Sequence, residues 1–271
     1  MKIYLMTDVE GVAGVLNYVD YGNPHGIFFE ETRTLLTMEA NAAVDGFFAA
    51  GATEVVVVAG HGSGCGAINA LILDKRAKLQ RGWTTGPYPL GIDKSYDAIA
   101  FVGQHAKAGS EYAHIPHTQN WRILDLSVNG LSVGEFGQTV LCAGELGVPV
   151  IFGSGDRAFC REAAELVPGI ETVAVKKGLI PGKGDECQPE AYSRRNEAAI
   201  HLQPETAREL IREGARKALQ RFKKEKFGIL KLPPPYKFVC TFREDEKNPQ
   251  IQKIKIHPDS VIGLMNKMYE K

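Results

Sequence analysis

The chain has 271 residues, 44% hydrophobic and 24% charged, a composition typical of a globular protein with one large α/β domain and room for a smaller one. Its 32 basic and 32 acidic residues balance, so the composition gives no sign of a polyanion-binding surface, and we expect no nucleic-acid partner. No apolar run reaches the roughly 20 residues that span a bilayer, so we expect no membrane partner either.

The cysteines and the N-terminal residues both favour a reducing compartment inside the cell. The five cysteines are odd in number and include no Cys-x-x-Cys pair, which argues against a disulfide framework and against a zinc site built from thiolates. Asp8 and Glu10 interrupt the N-terminal apolar run too early for the core of a signal peptide. We therefore predict a cytoplasmic protein.

The first two thirds of the chain alternate strand and helix signals. Strands are predicted at about 2–7, 54–59, 97–103, 148–152 and 171–175, and helices at about 28–50, 135–146 and 157–167. Asn129-Gly130, between two strand-like runs, is typical of a type I′ turn and predicts a hairpin at 122–133. Strands separated by helices indicate a mainly parallel sheet covered on both faces, which is a three-layer α/β fold.

Composition changes after Lys176, and residues 178–192 are rich in Gly, Pro and charge, which is typical of a long loop. Beyond it we predict a helix at about 204–226, strands at about 236–242 and 250–256, and a short terminal helix. These patterns predict an α/β metal-binding catalytic domain at 1–192 and a smaller C-terminal α+β domain at 193–271. The hairpin at 122–134 is a candidate to pack with the smaller domain.

Potential metal ligands follow the predicted buried strands. Asp8 and Glu10 stand where the first strand ends, and side chains two apart in a strand project from the same face. His61 and His105 follow the second and third buried strands, and Glu135 opens the helix after the hairpin. The carboxyl ends of parallel strands share one edge of the sheet, so these residues can converge. Two histidines and three carboxylates exceed the three protein ligands of one catalytic zinc and suit two ions that share a carboxylate.

Each of these residues also has a purely structural interpretation. Asp8 could cap a turn, and Glu10 could pair with a lysine. His61 and His105 could be histidines bonded to backbone, and Glu135 could be favoured by the dipole of its helix alone. The metal interpretation gains support because every candidate occupies the same type of position.

A glycine-rich segment that follows the second strand suggests an alternative function, dinucleotide binding. Residues 62–67 fit the Gly-x-Gly-x-x-Ala pattern of dinucleotide-binding loops and follow a strand. Such a site also needs an acidic residue about 20 positions further on, where this sequence has a basic stretch at 75–78. We therefore interpret these glycines as space for a metal or substrate near His61.

Separated motifs occur in a fixed order through about residue 176. They are Met1–Gly14, Gly60-His61, Gly103–Ala108, His117, Val133–Gly137, Gly155-Asp156-Arg157 and Ala174-Val-Lys176. In this order they resemble the zinc-dependent D-aminopeptidases of the bacterial dipeptide-transport operon. The resemblance is weaker beyond residue 176, and residues 178–192 do not match it.

The resemblance implies a set of ligands for Zn²⁺, with two ions per subunit and with Mn²⁺ or Co²⁺ as alternatives. Asp8 would bridge the two ions. Glu10 and His61 would complete the ligands of one ion, and His105 and Glu135 those of the other.

The resemblance also implies a catalytic histidine and an assembly. The catalytic position lies between the last two ligands and fits His117, with His114 as the alternative. The family fold is an α/β domain that carries a smaller α+β domain. Its subunits form a homo-oligomer of stacked five-membered rings, a homodecamer whose internal chamber admits only short peptides.

We therefore predict a metal-dependent aminopeptidase that hydrolyses dipeptides or short peptides from a free N-terminus, with D-amino-acid substrates by resemblance. The alternatives are a dinuclear-metal phosphoesterase and a non-catalytic small-molecule binding protein. A phosphoesterase would be favoured by a basic clamp for phosphate, but no compact Arg/Lys cluster accompanies the ligands. A binding protein would need neither an open metal position nor His117.

Overall fold

The computed structural model describes residues 1–62, 66–84 and 86–269. Within these ranges the chain forms eleven strands and six α-helices. The strands are β1 (Lys2–Thr7), β2 (Glu54–Ala59), β3 (Lys78–Gln80), β4 (Ala98–Gln104), β5 (Ile123–Val128), β6 (Leu131–Ser132), β7 (Val150–Asp156), β8 (Glu171–Gly178), β9 (Ala199–His201), β10 (Tyr236–Phe242) and β11 (Ile251–His257). The α-helices are α1 (Phe29–Ala49), α2 (Glu135–Leu146), α3 (Arg157–Leu166), α4 (Pro189–Arg195), α5 (Pro204–Phe222) and α6 (Val261–Asn266). A π-helical turn at Tyr18–Gly22 and a 3₁₀ turn at Lys267–Tyr269 complete the described elements.

The larger sheet has the strand order β3-β2-β1-β4-β7-β8-β9. Its neighbouring strands are parallel except for β8 and β9, which are antiparallel. The chain runs outward from β1 to β2 and β3 on one side, and β4 then starts the other half. The strand order therefore reverses between β1 and β4, and ligands of open α/β sheets bind beside such a point at the carboxyl ends of the strands.

The central strands are apolar because helices cover both faces of this sheet. β1, β2 and β4 are buried almost throughout. Helices α1 and α5 pack together on one face, where Leu36, Val44 and Ile211 join the core. Helices α2 and α3 cover the other face through residues such as Phe136 and Phe159. The α/β class predicted from the sequence, with its mainly parallel covered sheet, is confirmed.

The smaller sheet is antiparallel and has the order β11-β10-β5-β6. The predicted hairpin supplies β5 and β6, and its Asn129-Gly130 turn has φ angles of +51° and +83°, both of the left-handed type. Helix α2 lies between the two sheets, since Val140 contacts the core of the larger one and Leu141 that of the smaller one. Because α2 begins at the predicted ligand Glu135, this helix connects that position to both sheets.

Several details differ from the sequence expectation. The short strands β3 and β9 and the π-helical turn were not predicted, and α4 begins inside the segment 178–192 that the sequence predicted as a loop. β9 joins the larger sheet and α5 packs on α1, although both lie beyond residue 192. The domain division at residue 192 stays a prediction. Residues 63–65 of the glycine-rich pattern at 62–67 lie outside the described residues. No described helix has the length and apolarity to cross a bilayer.

Candidate metal centre

The carboxyl ends of the central strands bring the five predicted ligands together. Asp8 directly follows β1, and His105 directly follows its neighbour β4. His61 lies two residues beyond β2, and Glu135 is the first residue of α2. Glu10 lies in the loop that leaves β1 and is 2% exposed. The site therefore sits where the strand order reverses.

Asp8 faces two histidines with its two carboxylate oxygens. Its Oδ1 lies 3.0 Å from Nδ1 of His61, which is also 3.3 Å from Oε2 of Glu10. Its Oδ2 lies 3.4 Å from Nε2 of His105, which is also 3.5 Å from Oε1 of Glu135. Asp8 thus stands between two pairs, each made of one histidine and one further carboxylate.

Backbone carbonyls fix which nitrogen of each histidine faces the carboxylates. Nε2 of His61 lies 2.8 Å from the carbonyl of Gly22, and Nδ1 of His105 lies 2.9 Å from the carbonyl of Ala106. A carbonyl only accepts hydrogen bonds, so these nitrogens carry protons. The opposite ring nitrogen of each histidine is then directed at the carboxylates, which is the usual arrangement of metal-binding histidines.

The charges in the site are strongly coupled. Burial raises the pKa of Asp8, but contacts with His105 and His61 outweigh burial and hold this pKa well below its usual range. Burial lowers the pKa of both histidines, but the facing carboxylates outweigh it and raise both values well above 6.5. The protein alone therefore places protonated imidazoles between the carboxylates. A divalent cation would supply the same positive charge in place of those protons.

The donor set fits a divalent metal ion. Oε2 of Glu10 and Nε2 of His105 are buried and have no hydrogen-bond partner among the described residues. Buried polar atoms are costly without a partner, and bound cations would satisfy both atoms. Two groups of three side chains bring potential ligand atoms within 4.8 Å of one another, and they share His105. One group is Asp8, Glu10 and His105, and the other is His105, His117 and Glu135.

His117 lies inside the site, whereas His114 lies behind it. The His117 ring stacks on His105 with 3.9 Å between centroids, and its Nε2 is 3.8 Å from Oε1 of Glu135. Its Nδ1 donates to the carbonyl of Ile115 at 3.1 Å, which leaves Nε2 unprotonated on the site side. Burial, and next the charge of His105, lower the pKa of His117. The buried His114 ring instead has no hydrogen-bond partner within the described chain, and burial lowers its pKa to about 2.

Two cavities flank the carboxylates of Asp8 and Glu135. The first has a volume of about 320 Å³. Its apolar and aromatic lining includes Met6, Trp83, Tyr88, Leu90, Phe101 and Tyr269, and polar side chains such as Thr7, Gln104 and Thr139 line the rest. The second has a volume of about 280 Å³ and is lined on the His117 side by Tyr18, Asn120 and Trp121. No Lys or Arg lines either cavity among the described residues.

Two glutamines were missed by the sequence interpretation. The backbone N–H of Gln119 donates to Oε1 of Glu135 at 2.7 Å, and its side chain lines both cavities. Nε2 of Gln104 donates to Oδ2 of Asp8 at 3.3 Å. Gln104 carried a signal, because it stands at the end of a buried strand next to His105. Gln119 carried none, since its position depends on a left-handed backbone, with φ of +63°.

The fold and the converging side chains define an α/β protein with a candidate metal centre, and comparison with known proteins places it further. The family model described as D-aminopeptidase, peptidase family M55, matches residues 1–256. The chain therefore belongs to the D-aminopeptidase family M55, and the resemblance drawn from the motifs is confirmed.

Two individual proteins are similar to this chain. The D-aminopeptidase of Bacillus subtilis (strain 168) is 32% identical over 186 residues, which are 66% of this chain and 65% of that protein, just under two thirds of its length. The solved structure of the Zn-dependent D-aminopeptidase DppA from Bacillus subtilis, described as a self-compartmentalizing protease, has a TM-score of 0.80 at 24% identity. That match covers 99% of this chain and 96% of the other, which shows a shared fold.

Proposed function

We propose that this protein is a zinc-dependent aminopeptidase that removes the N-terminal residue of dipeptides or short peptides, with D-residues preferred. One observation carries the proposal: Asp8 presents a separate oxygen to each of two histidine–carboxylate pairs. This arrangement suits two ions about 3.5–4 Å apart that share one carboxylate. The family supports the peptidase reaction and the D-preference.

The proposed ligands divide between two zinc ions. Asp8 would bridge them, Glu10 and His61 would hold one ion, and His105 and Glu135 would hold the other. When bound, the ions would supply Lewis-acid activation of a peptide carbonyl and of water. Because the carboxylates of this site are already arranged around imidazole donors, the protein needs little rearrangement to accept the cations.

His117 is the proposed proton carrier. Its Nδ1 is held as a donor by the carbonyl of Ile115, so its Nε2 is free to accept a proton from water and to return it to the leaving amine. The lowered pKa keeps this ring neutral at pH 7, which is the state that an acceptor needs. The stacked ring of His105 and the nearby ring of Trp121, with its centroid 4.4 Å away, fix the orientation of His117.

The two cavities suggest how a peptide lies across the centre. The leaving amine must be near His117, so the residue after the cleaved bond would occupy the cavity next to Trp121. The N-terminal residue would then place its side chain in the cavity of about 320 Å³. Since Trp83, Tyr88 and Leu90 line that cavity, we expect apolar side chains to be accepted there.

The alternative functions receive less support. A phosphoesterase needs cationic side chains near its metal ions to bind phosphate, and the described lining of both cavities has none. A non-catalytic binding protein would not require His117 to face the metal ligands with an unprotonated nitrogen. The peptidase therefore remains the function that the geometry supports best.

We also propose a ring-shaped homo-oligomer, a homodecamer by family resemblance, located in the cytoplasm. The related DppA is described as self-compartmentalizing, which supports an assembly. The outermost strand of the smaller sheet, β11, exposes Ile254 and Ile256, and an apolar edge strand is normally protected by another surface. Cys142, Cys160, Cys187 and Cys240 are free thiols, which agrees with a reducing compartment.

The decisive experiment measures zinc content per subunit together with hydrolysis of matched D- and L-aminoacyl dipeptides. We expect about two zinc ions in the wild type and cleavage at the free N-terminus, faster for D-residues. Asp8→Asn should lose both ions and all activity, because it removes the shared charge without changing the side-chain size. Asp97→Asn is the control, because Asp97 lies directly before β4, at the amino ends of the strands and away from the site. This variant should retain both zinc ions and the activity. A metal-free wild type that cleaves no dipeptide after addition of Zn²⁺, Mn²⁺ or Co²⁺ would refute the proposal.

A further inference from the structure

The loop that carries Glu10 is fixed by ionisable side chains from three other elements. These side chains come from α1, β8 and β9 and bond to three consecutive residues of the loop. The bonds run from Ala13 N–H to Glu39 Oε1 at 2.9 Å, from Gly14 N–H to His201 Nδ1 at 3.0 Å, and from Lys176 Nζ to the carbonyl of Val15 at 3.0 Å. We call Glu39, Lys176 and His201 the loop clamp.

We propose that the loop clamp positions Glu10 for metal binding, so that its three members are positioning residues of the metal centre. The inference rests on the proposed zinc site, and it concerns residues that, within the described chain, form no hydrogen bond or ion pair with the carboxylates of that site. They act through the backbone at positions 13–15 and not through contact with a metal ion or a substrate.

The need for a clamp follows from the way Glu10 itself is held. Its buried Oε2 lies 3.3 Å from Nδ1 of His61 without the geometry of a hydrogen bond, so the backbone contributes strongly to the direction of this carboxylate. The residue directly after Glu10, Gly11, donates its N–H to the carbonyl of Gly103 at 2.7 Å, which anchors the loop to β4. The clamp supplies a second anchor further along the loop, at residues 13–15. Because the loop is fixed directly after Glu10 and again at residues 13–15, the Glu10 backbone has little freedom.

The position of the clamp is unusual for charged side chains. Glu39 is 2% exposed and Lys176 is 3% exposed, and buried ionisable groups are costly unless they are bonded. Lys176 and His201 are direct register partners in the β8–β9 pair, so one strand pairing places two members of the clamp. A hydrophobic core alone would not require ionisable groups here, whereas backbone groups of an irregular loop require polar partners.

The protonation of the clamp agrees with its bonds. Burial, and next the charge of Lys176, lower the pKa of His201 to about 4, so its ring is neutral and Nδ1 can accept the N–H of Gly14. Burial raises the pKa of Glu39 to about 7, and burial lowers the pKa of Lys176 to about 7. Both charged and neutral forms of these two groups retain the required acceptor and donor.

The test compares variants that remove a clamp bond with variants that keep it. Glu39→Leu and Lys176→Met each delete one bond, whereas Glu39→Gln keeps an acceptor oxygen for Ala13. Val44→Ala is a matched control for stability, since Val44 is buried in the same helix but lies more than one turn from Glu39. Zinc affinity is measured at 25 °C by competition with a fluorescent chelator. The melting temperature of each metal-free variant is measured in parallel.

We expect Glu39→Leu and Lys176→Met to weaken the binding of zinc at least tenfold, with the loss confined to one of two ions. Glu39→Gln should bind zinc like the wild type, and Val44→Ala should melt earlier while binding zinc like the wild type. Zinc binding at wild-type affinity in both deletion variants, with only a lower melting temperature, would overturn the inference.

A third deletion keeps the test decisive if the first two variants do not fold. His201 lies at the end of a short strand and is only partly buried, so His201→Leu is the milder change. Weaker zinc binding in this folded variant supports the clamp, and unchanged binding refutes it. A wild type that binds no zinc would instead refute the proposed function, so the two failures are distinguishable.

Discussion

His117 and His114 are three residues apart, yet their surroundings give them different expected roles. Replacing His117 by alanine removes the proposed proton carrier, whose Nε2 faces Glu135. We expect His117→Ala to retain zinc and to lose about 10²–10⁴-fold in kcat, the usual contribution of a general acid or base. Steady-state kinetics and zinc content of the same preparation check both parts.

His114→Gln is the control for this prediction. The His114 ring lies behind the site, 5.3 Å from the ring of His201, so its replacement should affect stability more than turnover. A folded His114→Gln variant with the loss of kcat expected for His117→Ala would reverse the assignment of the two histidines. The sequence alone left this choice open, because both residues occupy the same loop and only the folded backbone determines which ring faces the ligands.

Glu39 provides a prediction about pH that is independent of metal. Burial raises its pKa from 4.5 to about 7, so the folded protein favours the protonated acid. The stability that this preference contributes is present below about pH 4.5 and is lost as the pH rises through 7. Glu39→Gln cannot ionise, so its free energy of unfolding relative to the wild type should rise between pH 5 and pH 8, by up to roughly 3 kcal/mol. Urea unfolding of both proteins at the two pH values measures this.

The contrary outcome for Glu39 is equally specific. A constant difference between the variant and the wild type from pH 5 to pH 8 would show that Glu39 titrates normally in the folded protein. Val44→Ala serves as the control, because it changes a buried apolar residue of the same helix and removes no ionisable group.

At the scale of elements, the close approach of the ends of β1 and β4 determines where the ligands lie. Gly103 has φ of +76°, and a Cβ there would overlap the carbonyl oxygen of Asp8. We expect Gly103→Ala to destabilise the protein by more than about 2 kcal/mol, because overlap adds to the cost of about 1–2 kcal/mol for a left-handed conformation. It should also weaken zinc binding, because Asp8 and His105 would move apart.

Gly130 offers a matched control for this substitution. It has φ of +83°, but a Cβ there would meet no atom within 4 Å. Gly130→Ala should therefore cost only the conformational term of about 1–2 kcal/mol and leave zinc binding unchanged. Chemical denaturation measures the free energy of unfolding of both variants. An equal decrease in the two would show that the overlap with Asp8 adds nothing to the cost of the left-handed conformation.

The elements that the sequence predicts well are those with a local cause. β1, β2 and β4 are continuous apolar runs, and α2 begins and ends at the residues that its pattern predicts. β3 and β9 contain only three residues each, and tertiary pairing with β2 and β8 stabilises them. No local pattern marks such strands, because their stability comes from partners far away in the sequence.

The same distinction applies to the candidate site. Its five proposed ligands could be brought together from sequence because each follows a strand or opens a helix, and parallel strands share an edge. Gln119 and the loop clamp could not be predicted, since Glu39 and His201 reach the loop after Glu10 from the middle of a helix and from an unpredicted strand. Sequence motifs thus locate residues that stand at the ends of strands and helices. They miss residues such as the loop clamp, whose contacts exist only once the loop has folded.

At the scale of the whole molecule, the metal-free protein must hold three buried or half-buried carboxylates close together. Asp8, Glu10 and Glu135 repel one another, and two imidazoles balance this charge only in part. A ligand that binds only the folded state stabilises it by RT ln(1 + [L]/Kd), or about 4 kcal/mol at a thousandfold excess over Kd. Since the proposed ligands lie directly after β1 and β4, in the loops after β1 and β2, and at the start of α2, this energy would stabilise the whole larger sheet.

Zinc should therefore raise the melting temperature by roughly 10 °C, since about 2–4 °C accompany each kcal/mol in a domain of this size. Calorimetry of the metal-free protein, with and without saturating zinc, measures the shift at a fixed protein concentration. Asp8→Asn removes the shared ligand, so its melting temperature should not respond to zinc. Identical melting of the wild type in both conditions would mean that the convergence of these side chains, although built by the fold, does not bind the ion. An equal response of the variant would place the bound zinc elsewhere on the molecule.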